Sequence, residues 1–390
     1  MKPPNEPPAH LEGTCDPSFS RVRDAFAEAL ALPGEMGGAV SVVIDGRTVV
    51  DLWGGYADRA RSRPWARDTL VNVFSTTKGI LAVCAHRLIE QGRLELDAPV
   101  ARVWPELAAH GKEGITLRHL LTHRAGLPAV REVLAPEALF DWHAMTAALA
   151  AETPWWEPGA QHGYHAVTFG WLVGEVLRRA TGSAPRDLVR ELVAGPLGAD
   201  FSVGVAGPDF GRCAELRPSR RAPGESSLFD RIMAEPESMT AKAFTNPFSL
   251  VLPQTIHSPA WRAADLPAVN GHATARAVAR IYGALARGGS IDGVRMLSAE
   301  SVARCSEEQS VGPDLVLGLG TRFGLGFMLP QPHDRFSREG AFGHPGAGGS
   351  IGFADPAAKL GFGYVMNRMG LEILTDPRAQ ALSDAAYASL

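Results

Sequence analysis

The spacing of apolar residues changes character twice along the chain. Near the amino terminus, apolar residues recur every three or four positions, which is typical of the buried face of a helix. This face consists of Phe19, Val22, Phe26 and Leu30. Two β-branched runs then flank Asp45-Gly46, a pair that favours a tight hairpin turn. The chain is therefore predicted to begin with a packing helix and then to start a sheet.

The middle of the chain has mostly helical spacing, and strand spacing returns after it. Stretches such as FGWLVGEVLRRATG and TARAVARIYGALARGG alternate with Pro-rich loops between residue 75 and about residue 300. Beyond residue 310, FGLGFML and SIGFADPAAKLGFGYVMN are predicted to form strands, and DPRAQALSDAAYASL is predicted to close as a helix. We therefore predict an α+β fold, with an antiparallel sheet flanked by the terminal helices and an inserted, mainly helical domain.

The two ends of the chain are expected to build one domain together. Residues 1–74 and 310–390 are assigned to an α/β domain with the antiparallel sheet, and residues 75–309 to the mainly helical domain. The active site is expected in the cleft between them, because ligand pockets favour domain junctions. Residues 206–260, which are rich in Pro, Ser and Phe, are expected to form long loops along one pocket wall.

Composition narrows the possible functional classes. The 390 residues carry a formal net charge of −4, which argues against a nucleic-acid or anionic-membrane partner. The first residues, MKPPNEPPAH, lack the apolar run of a signal peptide, and no stretch approaches the ~20 apolar residues of a membrane span. The cysteines are too scattered for a disulfide framework and suit reduced thiols in a cytoplasmic protein. They are Cys15, Cys84, Cys213 and Cys305.

The segment VNVFSTTKGILA, residues 71–82, holds the most suggestive chemistry. A β-prone run leads to Ser75 at the start of a predicted helix, and Lys78 follows on the same helical face. An amine within reach of a hydroxyl can take its proton, which a serine nucleophile without a histidine requires. The alternative interpretation is a serine N-cap followed by a solvated lysine.

Two further segments contain candidate site residues. WWEPGAQHGYHAVTFG places Tyr164 just before a predicted helix, where it could equally be a packing aromatic. AFGHPGAGGS is rich in glycine around His344 and Gly346, so that a ligand could lie against the backbone. A tight bend in the sheet would explain the same glycines.

Taken together, these three segments resemble, in order and spacing, the serine hydrolases of the class C β-lactamase fold. That group also contains penicillin-binding DD-peptidases and family VIII carboxylesterases. The segments ITLRHLLTHRAGLP and GLGF are similar to further parts of the family pattern. The resemblance implies that Ser75 is the nucleophile, Lys78 its activating amine and Tyr164 the tyrosine of the family's Tyr-x-Asn element.

The chain departs from the family pattern at two positions. His344 and Gly346 belong to His-Pro-Gly in place of Lys-Thr-Gly, and Ala166 replaces the asparagine of Tyr-x-Asn. The missing cation and amide would bind the carboxylate and acylamide of a β-lactam, so their loss favours an uncharged, apolar ester. The resemblance also implies an oxyanion hole from the backbone N–H groups of Ser75 and Ala347. Substrate contacts are expected from His344, Gly346, Trp156 and His165.

The resemblance thus implies a serine carboxylesterase that hydrolyses small, short-chain acyl esters through an acyl-enzyme on Ser75. No cofactor or metal is expected, and the oligomeric state is left open. Lys78 and Tyr164 have similar unperturbed pKa values of about 10, so either could be the base. The alternatives are a β-lactamase, a D-amino-acid peptidase or amidase, an acyltransferase and a non-catalytic ligand-binding relative.

Other patterns are given structural interpretations. Residues 348–352, GGSIG, match the G-x-S-x-G nucleophile elbow, but a strand rather than a helix is predicted after Ser350. His119 and His123 have the spacing of a helical metal pair, but no third ligand stands out. Some large aromatics could wall an acyl pocket, although such residues near a domain junction more often belong to the core; these are Trp155, Trp156 and Trp261.

Overall fold

The computed structural model describes residues 10–218, 228–252, 254–331, 336–372 and 374–390. Its strands are β1 (Leu11–Cys15), β2 (Gly37–Ile44), β3 (Arg47–Gly55), β4 (Val71–Asn72), β5 (Phe201–Val203), β6 (Gly271–Ala273), β7 (Ser290–Ile291), β8 (Val294–Arg295), β9 (Ser310–Pro313), β10 (Gly320–Phe323), β11 (Phe342–Pro345), β12 (Ile351–Asp355) and β13 (Leu360–Met366). Its α-helices are α1 (Ser20–Leu30), α2 (Thr76–Glu90), α3 (Leu117–Leu121), α4 (Trp142–Ala151), α5 (Thr168–Thr181), α6 (Pro185–Val189), α7 (Gly195–Leu197), α8 (Leu228–Ala234), α9 (Met239–Thr245), α10 (Pro259–Ala263), α11 (Ala275–Ala286), α12 (Ala299–Ser306) and α13 (Pro377–Tyr387).

A six-stranded antiparallel sheet joins the amino-terminal and carboxyl-terminal parts of the chain. Its strand order is β1-β3-β2-β13-β12-β11. β13 pairs directly with β2, from Leu360 opposite Ile44 to Met366 opposite Gly38. The predicted α+β fold, with one sheet built from both ends, is confirmed.

The predicted hairpin between β2 and β3 also forms. Asp45 and Gly46 have φ angles of +44° and +85°, and Ile44 pairs with Arg47 across the turn. A two-residue turn of this kind needs positive φ at both positions, which Asp-Gly accepts readily.

Helices cover both faces of the sheet. α1 and α13 pack against each other, and Tyr387 of α13 stacks on Phe353 of β12 with ring centroids 6.2 Å apart. Phe353 also stacks on Phe362 of β13, at 5.0 Å. Because successive strand residues point to opposite faces, Gly361 points away from these rings. The terminal helices therefore flank the sheet, as predicted.

The other face of the sheet carries α11. A Cβ at Gly361 would lie 2.2 Å from the backbone nitrogen of Gly283 in α11, so glycine at 361 lets the helix lie directly on β13. This helix falls inside the range 75–309 assigned to the helical domain, yet it packs against β2, β12 and β13. An amphipathic pattern shows that a helix buries one face, but not whether a sheet or another helix covers it. The division of domains stays a prediction, and we expect its second boundary to precede α11.

Two segments differ from their predicted form. FGLGFML is not a regular strand, because β10 ends at Phe323 and Met328 forms only isolated bridges, to Phe323 and to Gly343. The range 206–260, expected to be long loops, contains the short helices α8 and α9 and the start of α10. Residues 219–227 and 253 of that range lie outside the described residues.

Two observations bear on the environment of the protein. The four cysteines are unpaired, with Cys15 partly exposed and the other three buried. Among the described residues, no helix combines the length and the apolar character needed to cross a membrane.

Candidate active site

Ser75 lies between a short strand and a long helix. β4 pairs with β6, and Ser75 is the N-cap residue of α2. Its side chain makes no capping hydrogen bond. Phe74, just before it, has a φ of +43°, a left-handed conformation that costs a bulky residue about 1–3 kcal/mol. The backbone turns sharply here, and the Ser75 hydroxyl does not serve as the cap that its position would suggest.

Lys78 is fully buried, and its amine contacts three oxygen atoms. Nζ lies 3.0 Å from Ser75 Oγ, 2.7 Å from the carbonyl oxygen of Ala166 and 3.1 Å from that of Ala268. Burial lowers the pKa of Lys78 well below its usual value, because the charged form loses its hydration. A neutral amine has two hydrogens and one lone pair. If the two carbonyls accept the hydrogens, the lone pair is left for Ser75.

Tyr164 reaches the same point from the segment before α5. The centroid of its ring lies 5.0 Å from Lys78 Nζ, and its hydroxyl interacts with Ser75. The ring stacks on Phe323, with centroids 6.1 Å apart and planes inclined by 8°. Burial raises the pKa of Tyr164 above its usual value, so the phenol keeps its proton at neutral pH. The structure therefore brings the three predicted catalytic residues together.

Asp314 anchors the backbone of Tyr164, a role that sequence analysis missed. Its buried Oδ1 accepts hydrogen bonds from the N–H groups of Tyr164 (3.0 Å), Val316 (2.9 Å) and Leu317 (2.8 Å). The last two bonds form an ordinary local turn around an aspartate, which a sequence can suggest. The first crosses from another part of the chain, and no local pattern indicates it.

The two backbone N–H groups expected to form the oxyanion hole belong to residues that line one cavity. Ser75 and Ala347 both line a cavity, and neither N–H donates to a protein acceptor within the described ranges. Ala347 lies in the loop between β11 and β12. A Cβ at the preceding Gly346 would lie 2.2 Å from the carbonyl oxygen of Val73, so glycine lets this loop approach the segment before Ser75. Gly346 itself does not line the cavity. Its expected contact with substrate stays a prediction, and the structure shows that this glycine has a spacing role.

The cavity beside these groups has a volume of about 510 Å³. Small-molecule sites commonly fall between about 300 and 1,000 Å³. Glu372 is the one charged side chain among the described residues that line it. The apolar wall includes Phe74, Leu228, Ile232, Phe244, Leu250 and Trp261. Four of these come from the range 206–260, where a pocket wall was expected.

Comparison with known proteins identifies the family. A family model described as Beta-lactamase matches residues 22–386. The chain belongs to the beta-lactamase family. It is 38% identical over 375 residues to the Esterase/beta-lactamase LipL of Mycobacterium tuberculosis, covering 92% of this chain and 83% of LipL.

Solved structures of this family share the fold over nearly the whole chain. A family VIII carboxylesterase superposes with a TM-score of 0.88 at 40% identity, covering 98% of this chain and 100% of that chain. A penicillin-binding protein homologue from Caulobacter crescentus has a TM-score of 0.89 at 39% identity, covering 97% of this chain and 100% of that chain. These members of the beta-lactamase family, together with LipL, identify the chain as a serine hydrolase.

His344 lies where the sequence resemblance places the lysine of the beta-lactamase family's Lys-Thr-Gly element. Its Nδ1–H donates to the carbonyl oxygen of Pro345 at 2.7 Å, and Nε2 has no partner among the described residues. Burial, together with the nearby Lys78 amine, lowers the pKa of His344 to about 3. The imidazole is therefore neutral and presents an acceptor where the family pattern has a cation. His344 lines the cavity, and its predicted contact with substrate stays a prediction.

Trp156 and His165 are not among the residues that line the cavity, and their expected contact with substrate stays a prediction. His165 is buried, with its Nδ1–H donating to the carbonyl oxygen of Gly163 at 2.7 Å and its Nε2 accepting the N–H of Leu127 at 3.1 Å. Trp156 packs edge-on against His165, with ring centroids 5.9 Å apart. Both side chains stabilise the segment that carries Tyr164. Of the three candidate tryptophans, Trp261 lines the cavity.

The serine and the two histidines that are given structural interpretations from the sequence make structural hydrogen bonds. The hydroxyl of Ser350 donates to the carbonyl oxygen of Val73 at 2.8 Å, and β12 follows it instead of a helix. His119 takes part in the capping box of α3. His123 is buried, and its Nδ1 accepts the backbone N–H of His165 at 3.1 Å. These two histidines therefore have separate hydrogen-bonding roles.

Proposed function

We propose that this protein is a serine carboxylesterase that hydrolyses uncharged esters through an acyl-enzyme on Ser75. The observation that carries the proposal is the buried Lys78 amine, 3.0 Å from Ser75 Oγ and otherwise bonded to two carbonyl oxygens. An uncharged amine in this position can accept the serine proton. The esterase names of LipL and of the family VIII carboxylesterase support the same reaction class.

In the acylation step, Ser75 Oγ attacks the ester carbonyl while its proton passes to Lys78. The opposite pKa directions of the two candidate bases support this assignment: burial lowers the pKa of Lys78 and raises that of Tyr164. Burial thus favours the neutral, proton-accepting form of Lys78 and the protonated form of Tyr164. The N–H groups of Ser75 and Ala347 stabilise the negative charge on the tetrahedral oxygen, and one such donor contributes roughly 3–4 kcal/mol.

Tyr164 completes the proton transfer. Its phenol donates a proton to the departing alkoxide, and the proton on Lys78 replaces it, so that an alcohol leaves and both groups regain their starting states. In the second step, water attacks the acyl-enzyme and passes a proton to the same pair. Ser75 then recovers its proton as the acid is released.

The surroundings of the site support a neutral substrate. Lys78 lies beneath the cavity rather than along its wall, and Glu372 is the charged side chain that a substrate meets. His344 offers an acceptor and Ala166 a methyl group, so neither binds a carboxylate. The expected preference for short acyl groups stays a prediction, and a cavity of about 510 Å³ also leaves room for longer ones.

A panel of p-nitrophenyl esters, beside a chromogenic cephalosporin, tests this function. We expect ester hydrolysis with weak or no cephalosporin turnover, and covalent labelling of the Ser75 peptide by a serine-directed phosphonate. Ser75→Ala should reduce kcat at least ~10³-fold. Ser350→Ala is the matched control and should keep most of the activity. Turnover that survives in Ser75→Ala but disappears in Ser350→Ala would contradict the proposal.

We further propose that the protein acts on small-molecule esters in the cytoplasm. Four unpaired cysteines support a reducing compartment, since oxidising compartments favour disulfides. Fractionation of the native cells tests this location, and recovery of the protein outside the cytoplasm would contradict it.

A further inference from the structure

A buried ionic cluster lies at the start of α13, and we call Glu35, Asp376 and Arg378 the Arg378 cluster. The Arg378 side chain is 5% exposed. Its Nε and Nη2 donate to the two carboxylate oxygens of Asp376, both at 2.8 Å, and its Nη1 donates to Glu35 at 2.7 Å. The remaining hydrogens bond to the carbonyl oxygens of Arg368 (3.0 Å) and Gly348 (3.1 Å). The whole guanidinium is therefore fixed.

The bond to Gly348 connects this cluster to the active-site loop. Gly348 directly follows Ala347, whose N–H is the second proposed oxyanion donor. The Gly348 carbonyl accepts hydrogen bonds from Arg378 and from the N–H of Gly370, at 2.7 Å. A Cβ at Gly349 would lie 3.0 Å from Cβ of Asp376, so the loop rests directly on the cluster.

A cluster of this kind is a poor means of stabilising a fold. Removing charged groups from water costs free energy that their attraction often fails to recover, and well-packed apolar residues are commonly as stable. An apolar side chain, however, could not donate a hydrogen bond to the Gly348 carbonyl. What the Arg378 guanidinium adds is a fixed direction for the backbone next to Ala347.

We propose that Arg378 is a positioning residue for the oxyanion hole. By binding the Gly348 carbonyl, it fixes the loop in which the Ala347 N–H meets the ester oxygen. Glu35 and Asp376 in turn hold the guanidinium, so that segments before β2 and before α13 set the geometry of one catalytic donor. This role rests on the proposed acylation of Ser75.

Arg378→Lys tests the role, because lysine keeps the charge but cannot reproduce the planar fork. Arg178→Lys is the matched control: Arg178 also pairs with a buried carboxylate, Glu175, at 2.7 and 2.8 Å, and it does not line the cavity. We expect Arg378→Lys to lower kcat about 10- to 100-fold, with KM within about threefold, because a misplaced oxyanion donor weakens mainly the transition state. Arg178→Lys should keep kcat within about twofold of the wild-type value, even if it lowers Tm as much as Arg378→Lys does.

An infrared spectrum of the acyl-enzyme, with ¹³C in the acyl carbonyl, separates positioning from general destabilisation. We expect the carbonyl band of Arg378→Lys to move to higher wavenumber, because the carbonyl loses a hydrogen bond, while Arg178→Lys keeps the wild-type band. If Arg378→Lys does not fold, Asp376→Asn provides the same readouts, since asparagine can still cap α13.

An unshifted band together with kcat near the wild-type value would overturn the role of Arg378 and leave the esterase assignment intact. If the wild-type protein forms no acyl-enzyme on Ser75, both the role of Arg378 and the esterase assignment are overturned.

Discussion

Two buried lysines in this protein have similar contacts but different consequences. Lys78 and Lys112 each direct their amine to two backbone carbonyl oxygens, those of Ala166 and Ala268 for Lys78 and those of Ala150 and Glu152 for Lys112. Burial lowers the pKa of both, but the nearby Glu152 carboxylate partly offsets this for Lys112. Lys78 has no carboxylate among the causes of its shift, and its third contact is the Ser75 hydroxyl.

The difference shows what makes a buried amine reactive. A lysine that bonds to two carbonyls beside a carboxylate can remain charged and hold two segments together. The same side chain, deeper and without a counter-charge, is shifted toward its neutral form, whose lone pair can accept a proton from a neighbouring hydroxyl. In the proposed mechanism, burial prepares Lys78 as a base because Ser75 lies at the third position.

The largest expected effect comes from removing the Lys78 amine, with removal of the Lys112 amine as the comparison. Lys78→Met should lower kcat/KM by about 10²- to 10⁴-fold, because general base catalysis is lost. Lys112→Met should leave kcat/KM within about threefold of the wild-type value. It should act mainly on stability, because it removes the hydrogen-bond donor of two carbonyl oxygens that lie away from the cavity. Steady-state kinetics and thermal unfolding of both variants measure this. Equal losses of kcat/KM would remove the distinction between the two sites.

The pH dependence provides a second test. Protonation of Lys78 removes its lone pair, so kcat/KM should fall as the pH is lowered, with a midpoint well below the usual lysine pKa of about 10.4. Because burial raises the pKa of Tyr164, activity should persist to about pH 10. His344, with a pKa lowered to about 3 by burial and by Lys78, should add no step near neutrality. A pH–rate profile checks these limits, and an acid midpoint at the ordinary lysine value would contradict a neutral Lys78.

The free energy of unfolding should also depend on the protonation of Lys78. The folded-state pKa of Lys78 lies below the unfolded-state value, so the unfolded chain binds one more proton between the two values. Stability from this source rises with pH up to the unfolded pKa and falls as the pH drops. Lys78→Met should therefore flatten the pH dependence of the free energy of unfolding by up to about 1.4 kcal/mol per pH unit. Denaturant unfolding across this range measures the slope.

The smallest expected effect concerns Glu372, whose carboxylate lines the cavity although neither lysine does. Glu372→Gln should raise kcat/KM about two- to fivefold for an ester with an acyl-chain carboxylate, because a screened surface charge contributes little. The kcat/KM for a neutral ester of equal length should not change. Glu113→Gln, at an exposed position outside the cavity, is the control. An equal gain for both esters would show that Glu372 does not act through charge.

The sequence predicts the residues that belong to short, ordered segments. Ser75 and Lys78 are one helical turn apart, so their proximity follows from local spacing. Tyr164 could be placed only through the family resemblance, because nothing local links it to Ser75. Trp156 and His165 show the same limit: closeness to Tyr164 in the sequence does not indicate which side chains turn toward the cavity.

Contacts across the chain account for most of what sequence analysis missed. Asp314 reaches the backbone of Tyr164, and Arg378 that of Gly348, through one long-range hydrogen bond each, and such bonds leave no periodic pattern. The left-handed φ of Phe74 is also unexpected, because a bulky residue rarely adopts it without tertiary support. The position of α11 on the sheet depends on the contact between Gly283 and Gly361, two glycines that a sequence would assign to flexibility.

The place of β13 in the sheet has a consequence for biosynthesis. β2 and β3 emerge from the ribosome early, but the inner edge of β2 has no partner until residues 360–366 have been made. Throughout that interval the nascent hairpin presents unpaired backbone groups, which are a template for pairing with another chain. Ser75, the proposed nucleophile, is translated long before the sheet behind it can close, so we expect the newly made polypeptide to gain activity only after this long-range pairing is complete.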